Sequence, residues 1–146
     1  MSEAKGFTAS QVIDTFGELI ASLSAFAAKV PAQSMMAIPG GIRPTMEAVD
    51  AYESIVYRFR DGAGSTYRVL NGLFVNSLEA FEAGRVFDAV PPLLQAIEQL
   101  VVLHEEEKVK FAAEDQNRIR DFHQRLEKIL PETSKPEVDL PTPESY

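Results

Sequence analysis

The spacing of apolar residues predicts a chain built mainly of α-helices. Apolar side chains recur every three or four residues along most of residues 8–130, which is the period of one helix face. Thr8 and Gln11 have the spacing of a capping box at the start of the first helix, and Pro31 ends it. The apolar stripe of this helix consists of Val12, Phe16, Leu19, Ile20, Leu23, Phe26, Ala27 and Val30.

A second helix is expected to begin after Thr45, which can serve as its N-cap. The segment that closes it, residues 55–70, allows two interpretations. Asp61 and Gly62 lie between runs rich in β-branched and aromatic residues, as at the tip of a β-hairpin. Helical spacing continues on both sides of them, however, and we therefore favour a helix–turn–helix.

Residues 73–97 have the pattern of a helical hairpin. Within them, the run EAGRVFDAVPPLLQAI is similar to one turn of a tetratricopeptide repeat. A shift by the repeat period of about 34 residues finds no second copy, so the resemblance covers a single hairpin. Asp88 is the expected N-cap of its second helix, which puts Pro91 and Pro92 in the first turn, where a missing amide hydrogen matters least. The positions that carry the resemblance are Gly84 at the corner and Ala89, Leu93 and Ala96 packing back.

Residues 93–130 contain neither proline nor glycine and predict either one long helix or two shorter ones. A continuous helix would be about 55–60 Å long, which exceeds the width of a small domain. It would then extend beyond the bundle, and Ile119, Phe122 and Leu126 would need a partner. Alternatively, the chain turns near residues 115–117 and its last part folds back as a fifth helix.

The last segment, residues 131–146, is predicted to be an extended, disordered tail. It is acidic, holds four of the nine prolines and has few apolar side chains. Together these patterns predict an all-α protein with one helical domain over residues 1–130. The expected architecture is a four- or five-helix bundle with one long C-terminal helix and a disordered tail.

Composition narrows the classes of function. The chain has 146 residues, of which 14 are basic and 22 acidic, and a formal net charge of −8. This charge argues against general binding to nucleic acid or to an anionic membrane. The lack of cysteine excludes disulfides, thiolate nucleophiles and cysteine metal sites. Because the N-terminus has no signal pattern and no apolar run is long enough to span a bilayer, we expect a cytoplasmic protein.

Neither histidine completes a known catalytic or metal-binding motif. A di-iron carboxylate site requires Glu-x-x-His on two helices. Val101 and Arg120 stand three residues before the two histidines, so the motif fails twice. Histidine–glutamate pairs at helical spacing are ordinary on exposed helix faces, and we predict no catalytic residue, no metal and no cofactor. The pairs are His104 with Glu107 and His123 with Glu127.

A cluster of arginines interleaved with aromatic residues departs from the acidic average. Arg58, Arg60 and Arg68 can clamp a phosphate or stack on bases if they share a face. In a helix, however, the first two would lie about 200° apart and would not act together. The simpler interpretation is that these arginines neutralise carboxylates such as Glu53 and Asp61. The cluster supports an alternative function as a small-molecule- or nucleic-acid-binding regulator.

The connection SMMAIPGGIRP, residues 34–44, is unusually apolar for a loop. It can cross the end of the bundle and close it, or it can form a docking surface for a partner or a second copy. Its apolar side chains are Met35, Met36, Ile38 and Ile42.

These patterns favour a non-enzymatic helical interaction protein, such as an assembly or scaffold subunit, an adaptor or a small chaperone-like protein. Such a protein acts by burying apolar helix and loop surfaces against a protein partner or a second copy, and we expect a homo-oligomer. In general terms the chain resembles export chaperones and the accessory subunits of virions or scaffolds. The residues expected at the partner surface are Met35, Met36, Ile38, Ile42, Ile119, Phe122 and Leu126.

Overall fold

The computed structural model describes residues 6–29 and 43–130, and these two segments are all-α. Five α-helices follow one another in them and form a bundle, which confirms the predicted fold class. Two short 3-10 segments, Ser65–Tyr67 and Val86–Ala89, precede the third and fourth helices. The helices are α1 (Ala9–Lys29), α2 (Met46–Gly62), α3 (Arg68–Glu82), α4 (Val90–Glu105) and α5 (Ala113–Ile129). The apolar connection from Met35 to Ile42 and the C-terminal tail lie outside the described residues.

The predicted starts of α1 and α2 are confirmed. The backbone N–H of Gln11 donates to the hydroxyl of Thr8 (3.1 Å), and the Gln11 side-chain oxygen accepts from the backbone N–H of Thr8 (2.8 Å). In α2, the Thr45 hydroxyl accepts from the N–H of Ala48 (3.1 Å). Each of these bonds satisfies an amide at a helix start that no helical carbonyl can reach.

The segment between α2 and α3 is a helix–turn–helix, as favoured from the sequence. Helix α2 ends at Gly62, and the turn passes through Gly64, whose φ of 99° suits a residue without a Cβ. The 3-10 segment that follows buries Tyr67 and leads directly into α3.

The predicted hairpin of α3 and α4 is also present. Gly84 has a φ of 86°, and the N–H of Arg85 donates to the carbonyl of Ala80 (2.9 Å), which closes α3 with a Schellman motif. Asp88 is not the N-cap of α4, because the 3-10 segment places that cap at Ala89. The Asp88 carboxylate instead lies 3.5 Å from the guanidinium of Arg85. The two prolines occupy the first turn of α4, as predicted.

Of the two alternatives for residues 93–130, the fold-back is the one observed, and one long C-terminal helix does not form. Helix α4 ends at Glu105, and α5 begins only at Ala113. The N–H of Lys108 donates to the carbonyl of Leu103 (2.9 Å) while Glu107 adopts a φ of 65°, so α4 also ends in a Schellman motif. The turn therefore lies several residues before the predicted one, and the buried side chain of Val109 anchors it.

Because α5 folds back, the residues expected at an overhanging end lie within the bundle. Ile119 and Leu126 are 8% and 0% exposed and belong to the core. Phe122 is half-buried against α1, where a Cβ at Gly17 would lie 3.1 Å from its ring. In the structure these three side chains attach α5 to the bundle, and a role for them in contacting a partner stays a prediction.

The turn between α4 and α5 yields a prediction about stability. Glu107 lies in the left-handed region, which is unfavourable for any residue with a Cβ. Replacing Glu107 with glycine should therefore raise the free energy of unfolding by about 1 kcal/mol, measured by thermal or urea denaturation. Glu106 is the matched control, since its φ is −85° and glycine there should stabilise nothing. Equal effects of the two substitutions would contradict the assignment of strain to Glu107.

The core is built around aromatic side chains from the first three helices. The ring of Phe74 in α3 lies 5.2 Å from that of Phe16 in α1 and 4.8 Å from that of Phe59 in α2, both nearly perpendicular. Tyr52 stacks on Phe81 with centroids 4.7 Å apart. Edge-to-face and offset-stacked rings are the arrangements that aromatic pairs prefer.

Helix α4 is rich in apolar residues. Residues Val86–Glu105 have the length and composition of a membrane-spanning helix. In the bundle, however, these apolar side chains form one wall of the core, and a central core helix has the same composition. The buried ones are Val86, Ala89, Val90, Leu93, Ala96, Ile97, Leu100 and Leu103.

A short chain of hydrogen bonds crosses the core and begins at Tyr52, whose ring stacks on Phe81. The Ser77 hydroxyl donates to the carbonyl of Ala89 (2.7 Å), and it therefore accepts from the hydroxyl of Tyr52 (2.6 Å). Burial raises the pKa of Tyr52 well above its usual range, although the hydrogen bond with Ser77 acts in the opposite direction. The phenol of Tyr52 therefore stays protonated. The two hydrogen bonds together join α2, α3 and Ala89, which precedes α4.

Candidate functional site

The described residues form a concave surface between α4 and α5, which we call the α4–α5 groove. It consists of two adjoining depressions of about 470 and 310 Å³. Val101, Ile119 and Arg120 line both depressions, so the two lie side by side along the same pair of helices. The first extends towards Ile97, and the second extends towards Phe111. Apolar side chains therefore form the floor along its whole length.

Helical spacing on both walls aligns the residues of the groove. On α5, Gln116, Arg120, His123 and Glu127 follow one another at steps of three or four and line the groove. On α4, residues 97, 98, 101, 104 and 105 share one helix face and line the opposite wall, with spacings i, i+1, i+4, i+7 and i+8. The two helices are antiparallel, because the early residues of α4 share a depression with the late residues of α5.

The rim of the groove is charged and predominantly acidic. Glu98 and Glu127 line the first depression, Glu105 lines the second, and Arg120 lines both. Among the described residues, neither Glu98 nor Glu105 has an ion-pair partner, whereas Glu127 lies 3.7 Å from the ring of His123. Apart from the two histidines, three carboxylates and one guanidinium give the rim a net negative formal charge.

The two histidines have different neighbours in the structure. The ring of His104 stacks on Phe111 (4.2 Å, 6° between planes), and its Nδ1 lies 3.4 Å from the carbonyl of Val109. It therefore stabilises the turn after α4. Its predicted pair with Glu107 does not form, since the helix has already ended. Within the described ranges, no three potential metal ligands come together.

The three arginines of the alternative function are not brought to one face. Arg58 pairs with Glu18 of α1, while Arg60 lies over the ring of Tyr57 (4.4 Å) and contacts Asp61 (3.1 Å). Both lie on α2, about 200° apart around its axis. The first residue of α3 is Arg68, which is exposed. The observed partners fit the neutralising interpretation, although Glu18 takes the place expected for Glu53.

The α4–α5 groove is absent from the sequence-based predictions because it depends on where α5 folds back. Glu98, Arg120 and Gln124 carry no motif that distinguishes them from other exposed helical residues. The one usable signal was the spacing of Ile119, His123 and Leu126, which predicts an amphipathic helix with a polar edge. The role predicted for Met35, Met36, Ile38 and Ile42 stays a prediction, since these residues lie outside the described ranges.

Comparisons with known proteins add no relative. No protein-family model, curated protein or solved structure matches the chain. Function is therefore inferred from the geometry and charge of the groove.

Proposed function

We propose that this chain is a non-enzymatic helical interaction protein, an adaptor or assembly subunit, that binds a helical segment of a protein partner in the α4–α5 groove. The observation that carries the proposal is that Val101 and Ile119 give both adjoining depressions an apolar lining beside a charged rim. Grooves between two helices commonly bind the apolar face of an amphipathic helix. Each partner side chain of the size of leucine that enters would contribute about 2 kcal/mol.

A second protein is a better occupant of this groove than a second copy of the chain. Two copies would each bring a formal net charge of −8, and their acidic rims would face each other. Like charges opposed across an interface disfavour association. Self-association through the apolar connection, residues 34–44, is a separate expectation and does not involve the groove.

The proposal can be tested by site-specific cross-linking, because the chain has no cysteine of its own. We expect a photo-cross-linker on Gln124→Cys, at the groove, to give one discrete adduct in extract from the source cells. The same reagent on Asn76→Cys, exposed on α3 outside the groove, should not give that adduct. The cross-linked protein is then identified and purified, and its affinity is measured by calorimetry.

The affinity between the purified protein and its cross-linked partner tests the proposal. Val101→Ser removes an apolar contact from the floor and should weaken binding by about tenfold, whereas Val69→Ser, at an exposed position of α3, should leave the affinity unchanged. Adducts of equal yield from both cysteines, or equal affinities of the two serine variants, would overturn the proposal. Circular dichroism verifies that both variants remain helical.

A further inference from the structure

We infer that the helix bound by the α4–α5 groove has a defined order of charges: basic residues at both ends, an acidic residue in the middle and an apolar residue on each side of it. This inference rests on the proposed function, because it specifies the partner of that groove. It follows from the order in which the charged residues lie along the rim.

Carboxylates mark both ends of the groove. Glu98 of α4 and Glu127 of α5 border the depression near Ile97, and Glu105 borders the depression near Phe111. Glu98 and Glu105 are exposed and have no ion pair with any other described residue. A basic side chain on the partner would meet one of them at each end.

A single cation lies between these ends. Arg120 lines both depressions, and its guanidinium donates to the side-chain oxygen of Asn117 (3.0 Å), a neutral acceptor. The neighbouring arginines of α5 are already paired with acids: Arg118 with Asp14 of α1, and Arg125 with Asp121 (3.1 Å). Arg120 is therefore the guanidinium on α5 that is placed to meet a partner carboxylate.

The length of the groove sets the length of the partner segment. Residues 97–105 of α4 extend over about 12 Å and residues 116–127 of α5 over about 16 Å, at 1.5 Å per residue. A partner helix of two to three turns covers this distance. Its central acid can then contact Arg120 while apolar residues one turn before and after it enter the two depressions.

Two synthetic peptides test the order of charges against the intact protein. The first is a 14-residue capped helix with lysines in its first and last turns, a central glutamate and a leucine one turn to either side of it on the same face. The second has glutamates at the ends and a central lysine, with the same leucines. We expect the first to bind at least tenfold more tightly by fluorescence anisotropy, with a difference that shrinks as salt is added.

Two double variants of the protein show which of its residues cause the preference between the peptides. Glu98→Lys/Glu105→Lys changes the groove ends and should reverse the preference between the peptides. Glu79→Lys/Glu82→Lys makes the same change of net charge at exposed positions of α3 and should preserve it. Equal affinity for both peptides, reversal by the α3 variant or no binding of either peptide would overturn the inference.

The inferred order of charges can fail while the proposed function holds. If both peptides bind equally and serine in place of their leucines abolishes binding, the groove binds helices but the order of charges is wrong. If neither peptide binds and Gln124→Cys gives no specific adduct, both the inference and the proposed function fail.

Discussion

Replacing Phe74 with alanine is expected to lower the free energy of unfolding by about 4 kcal/mol. Its ring is fully buried and contacts rings of two other helices, Phe16 in α1 and Phe59 in α2. Alanine would leave a cavity at the point where three helices meet, and the surrounding rings cannot collapse without leaving their perpendicular packing. Because domains of this size are stable by about 5–15 kcal/mol, the loss is a large fraction of the total. Urea denaturation followed by circular dichroism measures it.

Val69 is the matched control for this substitution. It lies on the same helix but is 50% exposed, so Val69→Ala should change the free energy of unfolding by no more than about 0.5 kcal/mol. The dependence on urea concentration should be similar for both variants if the same surface unfolds. A loss at Phe74 no larger than that at Val69 would show that the aromatic cluster does not hold α1, α2 and α3 together.

The parts of the fold that sequence predicts correctly are those fixed by local interactions. The capping bonds of Thr8 with Gln11 and of Thr45 with Ala48 join residues three apart. Gly84 marks its turn because a positive φ favours the residue without a Cβ. Each of these signals is complete within a few positions and does not require knowledge of which helices are neighbours.

The end of α4 shows why the rest could not be predicted. Its Schellman motif has Glu107 at the left-handed position, where glycine or asparagine is the usual residue. The sequence therefore gives no stop signal there, and the burial of Val109 and the stacking of Phe111 on His104 determine the turn instead. These are tertiary interactions. The α4–α5 groove exists only because of this turn, so its residues were not predicted.

The partners of charged residues could not be predicted for the same reason, because they also depend on tertiary packing. Arg58 was expected to neutralise an acid close to it in sequence, but its partner is Glu18, which belongs to α1. Spacing along one helix restricts which faces two residues occupy, but it does not specify which helix packs beside them. The arginine cluster therefore looked like one anion site in the sequence and is divided between different surfaces in the fold.

Replacing Asp115 with alanine should destabilise the protein by about 3 kcal/mol and release α5 in particular. This carboxylate is 2% exposed and accepts hydrogen bonds from the Ser10 hydroxyl (3.1 Å) and the N–H of Ala112 (3.0 Å), with Arg118 at 3.8 Å. It joins the starts of α1 and α5, and its loss leaves two part-buried donors without their acceptor. Hydrogen exchange should show faster exchange of the α5 amides, while those of α2 and α3 change least.

Asp121 provides the comparison within the same helix. It pairs with Arg125 at the surface (3.1 Å, both more than half exposed), so Asp121→Ala removes the same charge but should affect stability by no more than about 0.5 kcal/mol. Similar losses for the two variants would mean that charge, not the buried contacts of Asp115, stabilises α5. Uniformly faster exchange along the whole chain would mean that α5 does not open separately. If α5 alone is released, the groove loses one of its two walls, and binding of the peptide with basic ends should weaken in parallel with the protection of the α5 amides.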